Sequence, residues 1–138
     1  MNIREILNLK VGGQWLVSPS AEETIFCREM FSEDHKDIEK MVLEFASDKI
    51  YPNLHKIESL DESLSRSIMK EMGGLGLIGV DAPEKYGGTE LDKITACIVT
   101  EGVGSSGSSS FGCTFGVQTG IGSLGIVFFG TEEQKSKY

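Results

Sequence analysis

Clustered basic residues are what this chain most plainly lacks. Its 13 Lys and Arg are scattered among 21 Asp and Glu, for a formal net charge of −8. Nucleic acids and anionic membrane surfaces are bound through grouped cations, so neither is expected as a partner. Histidine is almost absent. His35 and His55 stand alone and do not make a zinc site, so no metal is expected. Cysteine is limited to Cys27, Cys97 and Cys113, widely spaced, odd in number and without a C-x-x-C pair. Such cysteines read as buried, reduced thiols of a cytoplasmic protein. No activating neighbour marks any of them as a nucleophile. No apolar run approaches the roughly 18 residues of a membrane span, so no transmembrane segment is expected. The opening residues, with Arg4, Glu5 and Lys10, do not form a secretory signal.

What is present suits one soluble domain: 138 residues of ordinary apolar content, enough to bury a core. Residues 1–31 are the least periodic part. Gly12-Gly13 before Gln14-Trp15-Leu16-Val17, then Ser18-Pro19-Ser20, read as a turn, a short extended piece and a break. Two readings stay open: an extended lead-in that docks Trp15 and Leu16, or a partly disordered terminus. From Ser32 the pattern is helical. Ser32 is a cap candidate, Glu33 and Asp34 suit the first turn, and Ile38, Met41, Val42, Phe45, Ala46 and Ile50 recur at helical spacing. Pro52 limits this helix near Ile50. A second helix is expected after Asp61, with Leu64, Ile68, Met69 and Met72 inward and Gly73-Gly74 as its stop. A third is expected over 91–106, although Ile94–Val99 is β-branched enough to pass for a strand. Ser105–Ser110 reads as a connector. Leu124–Phe129 is a short apolar piece ended by Gly130, and Thr131 caps the residues that follow.

Glycine is abundant and placed with meaning. Residues Gly73–Asp92 hold six glycines and Pro83 between two helical segments, which is expected where backbone turns sharply or packs closely. Gly102, Gly104 and Gly107 spell G-x-G-x-x-G, the fingerprint that holds a dinucleotide pyrophosphate at a helix start. No acidic residue follows at the expected distance of about 20 positions, no second parallel strand completes the unit, and Glu101 would oppose the phosphates. A helix end running into a Gly/Ser connector is the better reading. Gly112, Gly116 and Gly120 would line one helix face. Either two helices cross closely there, or the face is a wall for a ligand, with Gln118 and Thr119 beside it.

Three stretches resemble one family, the flavin-dependent acyl-CoA dehydrogenases. Gly74-Leu75-Gly76-Leu77 through Pro83-Glu84-Lys85-Tyr86-Gly87-Gly88, with Leu91-Asp92, is similar to the signature LGL.G...PEEYGG.GLD. Thr100-Glu101 is similar to a helix that usually reads Glu-Glu, with Gly102 as a departure. Gly130-Thr131-Glu132-Glu133-Gln134-Lys135 to Lys137-Tyr138 is similar to GTEEQK.KY. The resemblance covers about residues 32–138, and the lead-in 1–31 resembles that of the very-long-chain branch.

The resemblance implies an all-α, up-and-down helical bundle-like N-terminal domain over 32–138, preceded by the extended lead-in 1–31. The β middle domain and the C-terminal helical domain of the family are not in this chain. The implied activity of the whole enzyme is oxidation of an acyl-CoA to the trans-2-enoyl-CoA in fatty-acid β-oxidation. A glutamate takes the α-proton, FAD accepts the β-hydride, and electron-transfer flavoprotein takes the electrons from a homo-oligomeric enzyme. The glutamate base and the main FAD loops belong to the other domains. No catalytic and no cofactor-binding residue is therefore assigned here, and FAD is not expected on this chain alone. What the chain implies is part of the acyl-tunnel wall, with Gln118, Ile121, Gly122 and Gly125 as the substrate-pocket candidates. Medium-chain members carry a bulky polar side chain where Gly122 stands, so long acyl chains are expected. The competing expectation is a stand-alone helical binding or interaction module without catalysis.

Overall fold

The computed structural model describes residues 26–138. The chain separates into two compact units, Met1–Ser32 and Glu33–Tyr138. In the first, the described part is a three-ten turn, Arg28–Met30. Phe26 stacks on Phe31 at 5.9 Å, and the Arg28 guanidinium lies 5.7 Å from the Phe31 ring centre. Most of the expected lead-in, with Trp15 and Leu16, lies outside the described residues.

The second unit is all helix and loop, with no strand among its residues. Helix α1 spans Glu33–Phe45 and carries its apolar stripe inward, with Val42 fully buried. Its spacing widens to a π-turn over Ala46–Ile50 and tightens to a three-ten turn over Tyr51–Asn53. It then resumes as α2, Leu54–Glu58. Pro52 therefore does not stop the helical path. It sits at the start of the three-ten turn, where a missing N–H costs little.

Helix α3, Glu62–Gly74, is capped by Asp61, whose carboxylate accepts the Leu64 N–H at 3.0 Å. Gly73 and Gly74 lie inside it. The stop is Gly76, at φ +77°. The Leu77 N–H reaches back to the Met72 carbonyl at 3.0 Å and the Gly76 N–H to that of Gly73 at 3.1 Å, a Schellman closure that favours glycine.

The glycine-rich loop then folds on itself. Thr89 and Leu91 donate their N–H groups to the Gly79 and Val80 carbonyls at 2.9 and 2.7 Å. A β-carbon on Gly88 would collide with the Ala82 backbone, so this glycine is there for close approach of chain to chain. Leu77 and Val80 are buried in the core.

Helix α4, Lys93–Gly104, is capped by Asp92, which accepts from the Thr95 N–H at 2.8 Å. That settles Ile94–Val99 as helix, its β-branched side chains packed in a bundle rather than on a sheet. Helix α5 is Ser109–Gly116. It runs through a π-helical segment, Val117–Gly122, into α6, Ser123–Phe129. The separate apolar pieces of the sequence are thus one helix of 21 residues, Ser109–Phe129, long and apolar enough to cross a membrane by length and composition alone. Its Phe111 and Phe115 are buried in the core with Val42, Ile50, Met72 and Val99. Helix α7, Glu132–Lys137, carries a Thr131–Gln134 capping box.

Two carboxylates act across the bundle at helix starts. Glu58 of α2 accepts from the Ser108 and Ser110 hydroxyls, at 2.5 and 2.9 Å, at the start of α5. Asp92, besides capping α4, lies 3.2 Å from His35 Nε2 of α1. Hydrogen bonds from Ser108, then Ser110, hold the Glu58 carboxyl below its ordinary value. For Asp92, burial acts upward but is outweighed by hydrogen bonds from Thr95 and His35, and the net shift is downward.

Candidate functional site

The apolar side of the bundle opens into a cleft of about 570 Å³ between α4 and the long helix. Leu77, Ile78 and Val80 come from the glycine-rich loop, Ala96 and Val99 from α4, and Phe115 and Leu124 from the long helix. Its polar groups are few. Thr100 and Thr119 both border it, and each donates its hydroxyl to a carbonyl one turn back, of Ala96 at 2.8 Å and of Phe115 at 2.9 Å. Asp81 and Lys93, also on its border, pair with each other, while Glu101 adds a further carboxylate. Gly120 completes the wall, and a β-carbon there would meet nothing within 4 Å.

A second cleft, about 460 Å³, lies on the other side of the π-segment. Gln118, Gly122 and Ile126 form one side, Tyr86-Gly87-Gly88 another, and Lys135 and Tyr138 of the C-terminal end a third. It borders the first at Ile78 and Asp81. A groove of about 530 Å³ runs between the α2–α3 hairpin and α5, along Ile57, Leu60, Met69 and Phe111.

The four expected pocket residues fall on different faces. Gln118 and Gly122 come together in the second cleft. Ile121 is 80% exposed and Gly125 faces open space, so both sit on the outer side of the helix. Of the first cleft, Thr119 and Gly120 belong to the ligand-wall alternative that the sequence left open, while Phe115 and Leu124 were not singled out from it. The four candidates came from the family resemblance and not from helical period, which the widened spacing over Val117–Gly122 shifts here. The recurrence of glycine at 112, 116 and 120 was the signal that pointed to Gly120.

The cysteines also differ from expectation: Cys27, Cys97 and Cys113 are all exposed. Cys97 borders the first cleft because its neighbours Ile98 and Val99 take the inward positions of α4. The Cys27 thiol is pushed up by its hydrogen bond with Glu29, away from the thiolate that a nucleophile needs. No group of three His, Cys, Asp or Glu able to hold a metal ion occurs among the described residues. The G-x-G-x-x-G glycines make no cradle, since Gly102 and Gly104 lie within α4 and Gly102 is buried.

Comparison with known proteins gives this geometry its context. Residues 32–138 match the model of the acyl-CoA dehydrogenase N-terminal domain. The chain belongs to that family. A probable acyl-CoA dehydrogenase of Bacillus subtilis (strain 168) is 38% identical over 135 residues, 98% of this chain and 22% of that protein. The mitochondrial isovaleryl-CoA dehydrogenase of Solanum tuberosum is 34% identical, over 79% of this chain and 26% of its own length. A crystal structure of an acyl-CoA dehydrogenase complexed with FAD from Bacillus anthracis superposes with a TM-score of 0.84 at 42% identity, covering 92% of this chain and 22% of that one. This acyl-CoA dehydrogenase N-terminal domain thus spans about a quarter of the length of such relatives. They are of general and isovaleryl type and lend no support to the very-long-chain branch.

Proposed function

We propose that the chain is the helical N-terminal domain of a longer acyl-CoA dehydrogenase and that its part in the reaction is to supply one wall of the acyl site. The observation that carries this is the first cleft. It is walled by aliphatic and aromatic side chains, its two threonine hydroxyls are bound to their own helices, and its size falls in the range of about 300–1,000 Å³ usual for small-molecule sites. An alkyl chain satisfies such a surface, while a polar ligand would lose hydrogen bonds to water without replacement.

The whole enzyme would oxidise an acyl-CoA to the trans-2-enoyl-CoA in β-oxidation, with FAD as hydride acceptor, electron-transfer flavoprotein as partner and a homo-oligomeric assembly. This reading carries over what the family implies. FAD, when bound, supplies the oxidising power. The described residues do not fit it. A diphosphate needs a cradle of N–H groups or cations, and the glycines that resemble one lie within or beside α4, where Glu101 adds a like charge. Titration of the 138-residue chain with FAD is expected to give no stoichiometric complex. Three exposed, unpaired thiols fit a reducing compartment, and the cytoplasm is the proposed location.

Glycine at 120 and 122 keeps the helix slim where it borders the two clefts, which favours long acyl chains. Gln118, Ile121, Gly122 and Gly125 remain the proposed contacts in the assembled enzyme, with Thr119 and Gly120 added by the first cleft. In the intact enzyme, Gly120→Leu is expected to raise KM for palmitoyl-CoA by roughly tenfold or more, from a few displaced methylenes, with little change for butyryl-CoA. An unmodified enzyme active on butyryl-CoA and inert toward palmitoyl-CoA would sink the long-chain reading. Equal kinetics for both substrates in the variant would remove the cleft from the acyl site.

A further inference from the structure

Helix α7 buries none of its own residues. Its capping box stabilises the turn internally but does not set its direction. Its contacts with the loop run through Glu132 and through Lys135, whose ammonium lies 6.0 Å from the centre of the Tyr86 ring. The Tyr86 hydroxyl donates to Glu132 Oε2 at 2.5 Å. Lys85 Nζ donates to the same oxygen at 3.4 Å, and Lys135 Nζ lies 4.0 Å from Oε1. The Lys85 ammonium also sits 4.5 Å from the centre of the Tyr86 ring, a cation–π contact. Exposed lysine–carboxylate pairs contribute little by themselves. A short hydrogen bond from a hydroxyl to a carboxylate is the strong member of this set.

Helix α7 in turn contributes Lys135 to the second cleft, opposite Gln118 and Gly122, and Tyr86 borders the same cleft. We propose that Tyr86 is the positioning residue of a strap: by holding Glu132 it keeps α7 across the second cleft as a wall, and release of this hydrogen bond swings α7 aside and opens the cleft between Gln118 and Gly87-Gly88. The strap rests on this geometry alone and does not depend on the acyl-CoA reading.

Glu132 is the titrating member. The groups that face it are Tyr86 and Lys85 from the loop, and Lys135 and the adjacent Glu133 from its own helix. Helix α6, also packed on α7, carries no titratable side chain. The Tyr86 hydrogen bond, with Lys85, holds the Glu132 carboxyl below its ordinary value against the upward pull of desolvation. Its folded value is the lower one, so the clasp is complete above the ordinary glutamate range and is lost as pH falls through the folded value.

The test compares the 138-residue chain with Tyr86→Phe and Glu132→Gln by amide hydrogen exchange and carboxyl NMR titration. In Tyr86→Phe, protection of the Lys135 and Tyr138 amides is expected to fall roughly tenfold, as for loss of one charge-assisted hydrogen bond. The Glu132 carboxyl should titrate at higher pH, the Gln118 and Gly122 amide resonances should move, and the amides of α1 and α4 should stay protected. Glu132→Gln, which keeps the side-chain size, should give the same loss in α7. Unchanged α7 protection in either variant overturns the strap. So does an unchanged Glu132 titration, or a loss of protection shared equally by α1 and α4.

Discussion

Gly102 of α4 lies directly against Val42 of α1. A β-carbon at 102 would stand 3.0 Å from Val42 Cγ2 and closer still to Cγ1. Both residues are buried, and the contact lets the two helices approach as near as a missing side chain allows. The same glycine departs from the Glu-Glu pattern that the family resemblance leads one to expect. The departure has a packing reason: neither a carboxylate nor even a methyl group has room there.

Gly102→Ala is expected to destabilise the chain by about 1–3 kcal/mol, the usual cost of overpacking a filled core. Val42→Ala removes the methyl groups in the way, so the double variant should lose less than the sum of the two single losses. Urea denaturation of the four proteins measures this. Strict additivity would show that Gly102 is not there for Val42.

The glycines of the long helix behave in the opposite way. A β-carbon at Gly112, Gly116 or Gly120 would meet nothing within 4 Å, so no close helix crossing occurs on that face. Each glycine to alanine change is expected to raise stability, by up to about 1 kcal/mol from helix propensity. A loss in thermal melting would mean that backbone contact had been broken after all.

Leu60 occupies the left-handed position of a Schellman closure. It has φ 64°, and the Asp61 N–H returns to the Lys56 carbonyl at 3.0 Å. Its side chain is 78% exposed, so little burial offsets the strain. Leu60→Gly is expected to stabilise the chain by about 1 kcal/mol, read from the denaturation midpoint. A destabilised variant would show that Leu60 contributes more to the Ile57–Phe111 groove than its exposure indicates.

Acid should loosen the fold at helix starts. Glu58, Asp61 and Asp92 all have folded values below their ordinary 4.5, 3.8 and 3.8. The unfolded chain therefore binds more protons in this range. Their stabilisation is complete above the ordinary values and is lost as pH falls through the folded ones. Glu58→Gln should flatten the fall of the urea midpoint below about pH 4.5, because its carboxylate no longer titrates between α2 and α5. An unaltered profile would remove Glu58 from this account.

Phe128 and Phe129 are 61% and 88% exposed at the end of α6, and Val117 and Ile121 of the same long helix are also exposed. Large exposed apolar faces favour association. Sedimentation of the 138-residue chain is expected to show concentration-dependent self-association, reduced by Phe128→Ser with Phe129→Ser. A monomer at all concentrations would show that this face is tolerated in water.

Much of the helical framework was legible in the sequence because it is encoded locally. The spacing of Ile38, Met41, Val42 and Phe45, the caps Asp61 and Thr131, and the loop signature around Pro83 depend on residues a few positions apart. The family followed from three such stretches. The pocket was less legible. Gln118 and Gly122 share a cleft and Ile121 and Gly125 face outward from this unit. The four were carried over from the family resemblance, and the π-segment that sets the helical phase here is announced by no local residue pattern. The thiols were misread for a related reason. Whether a cysteine on a helix is buried depends on which face a partner covers.

Although the start of α5 at Ser109 falls inside the stretch read as a connector, the sequence by itself determined the caps at Asp61 and Thr131, the all-helical class and the family the chain joins. Those outcomes rest on local hydrogen bonding and hydrophobic period. Only the tertiary structure decided that Gly102 belongs to Val42, that Glu58 holds the cap residue Ser108 of a helix fifty residues away, and that Tyr86 holds Glu132. Each of these depends on through-space distance between segments remote in the chain, which short-range propensity does not record.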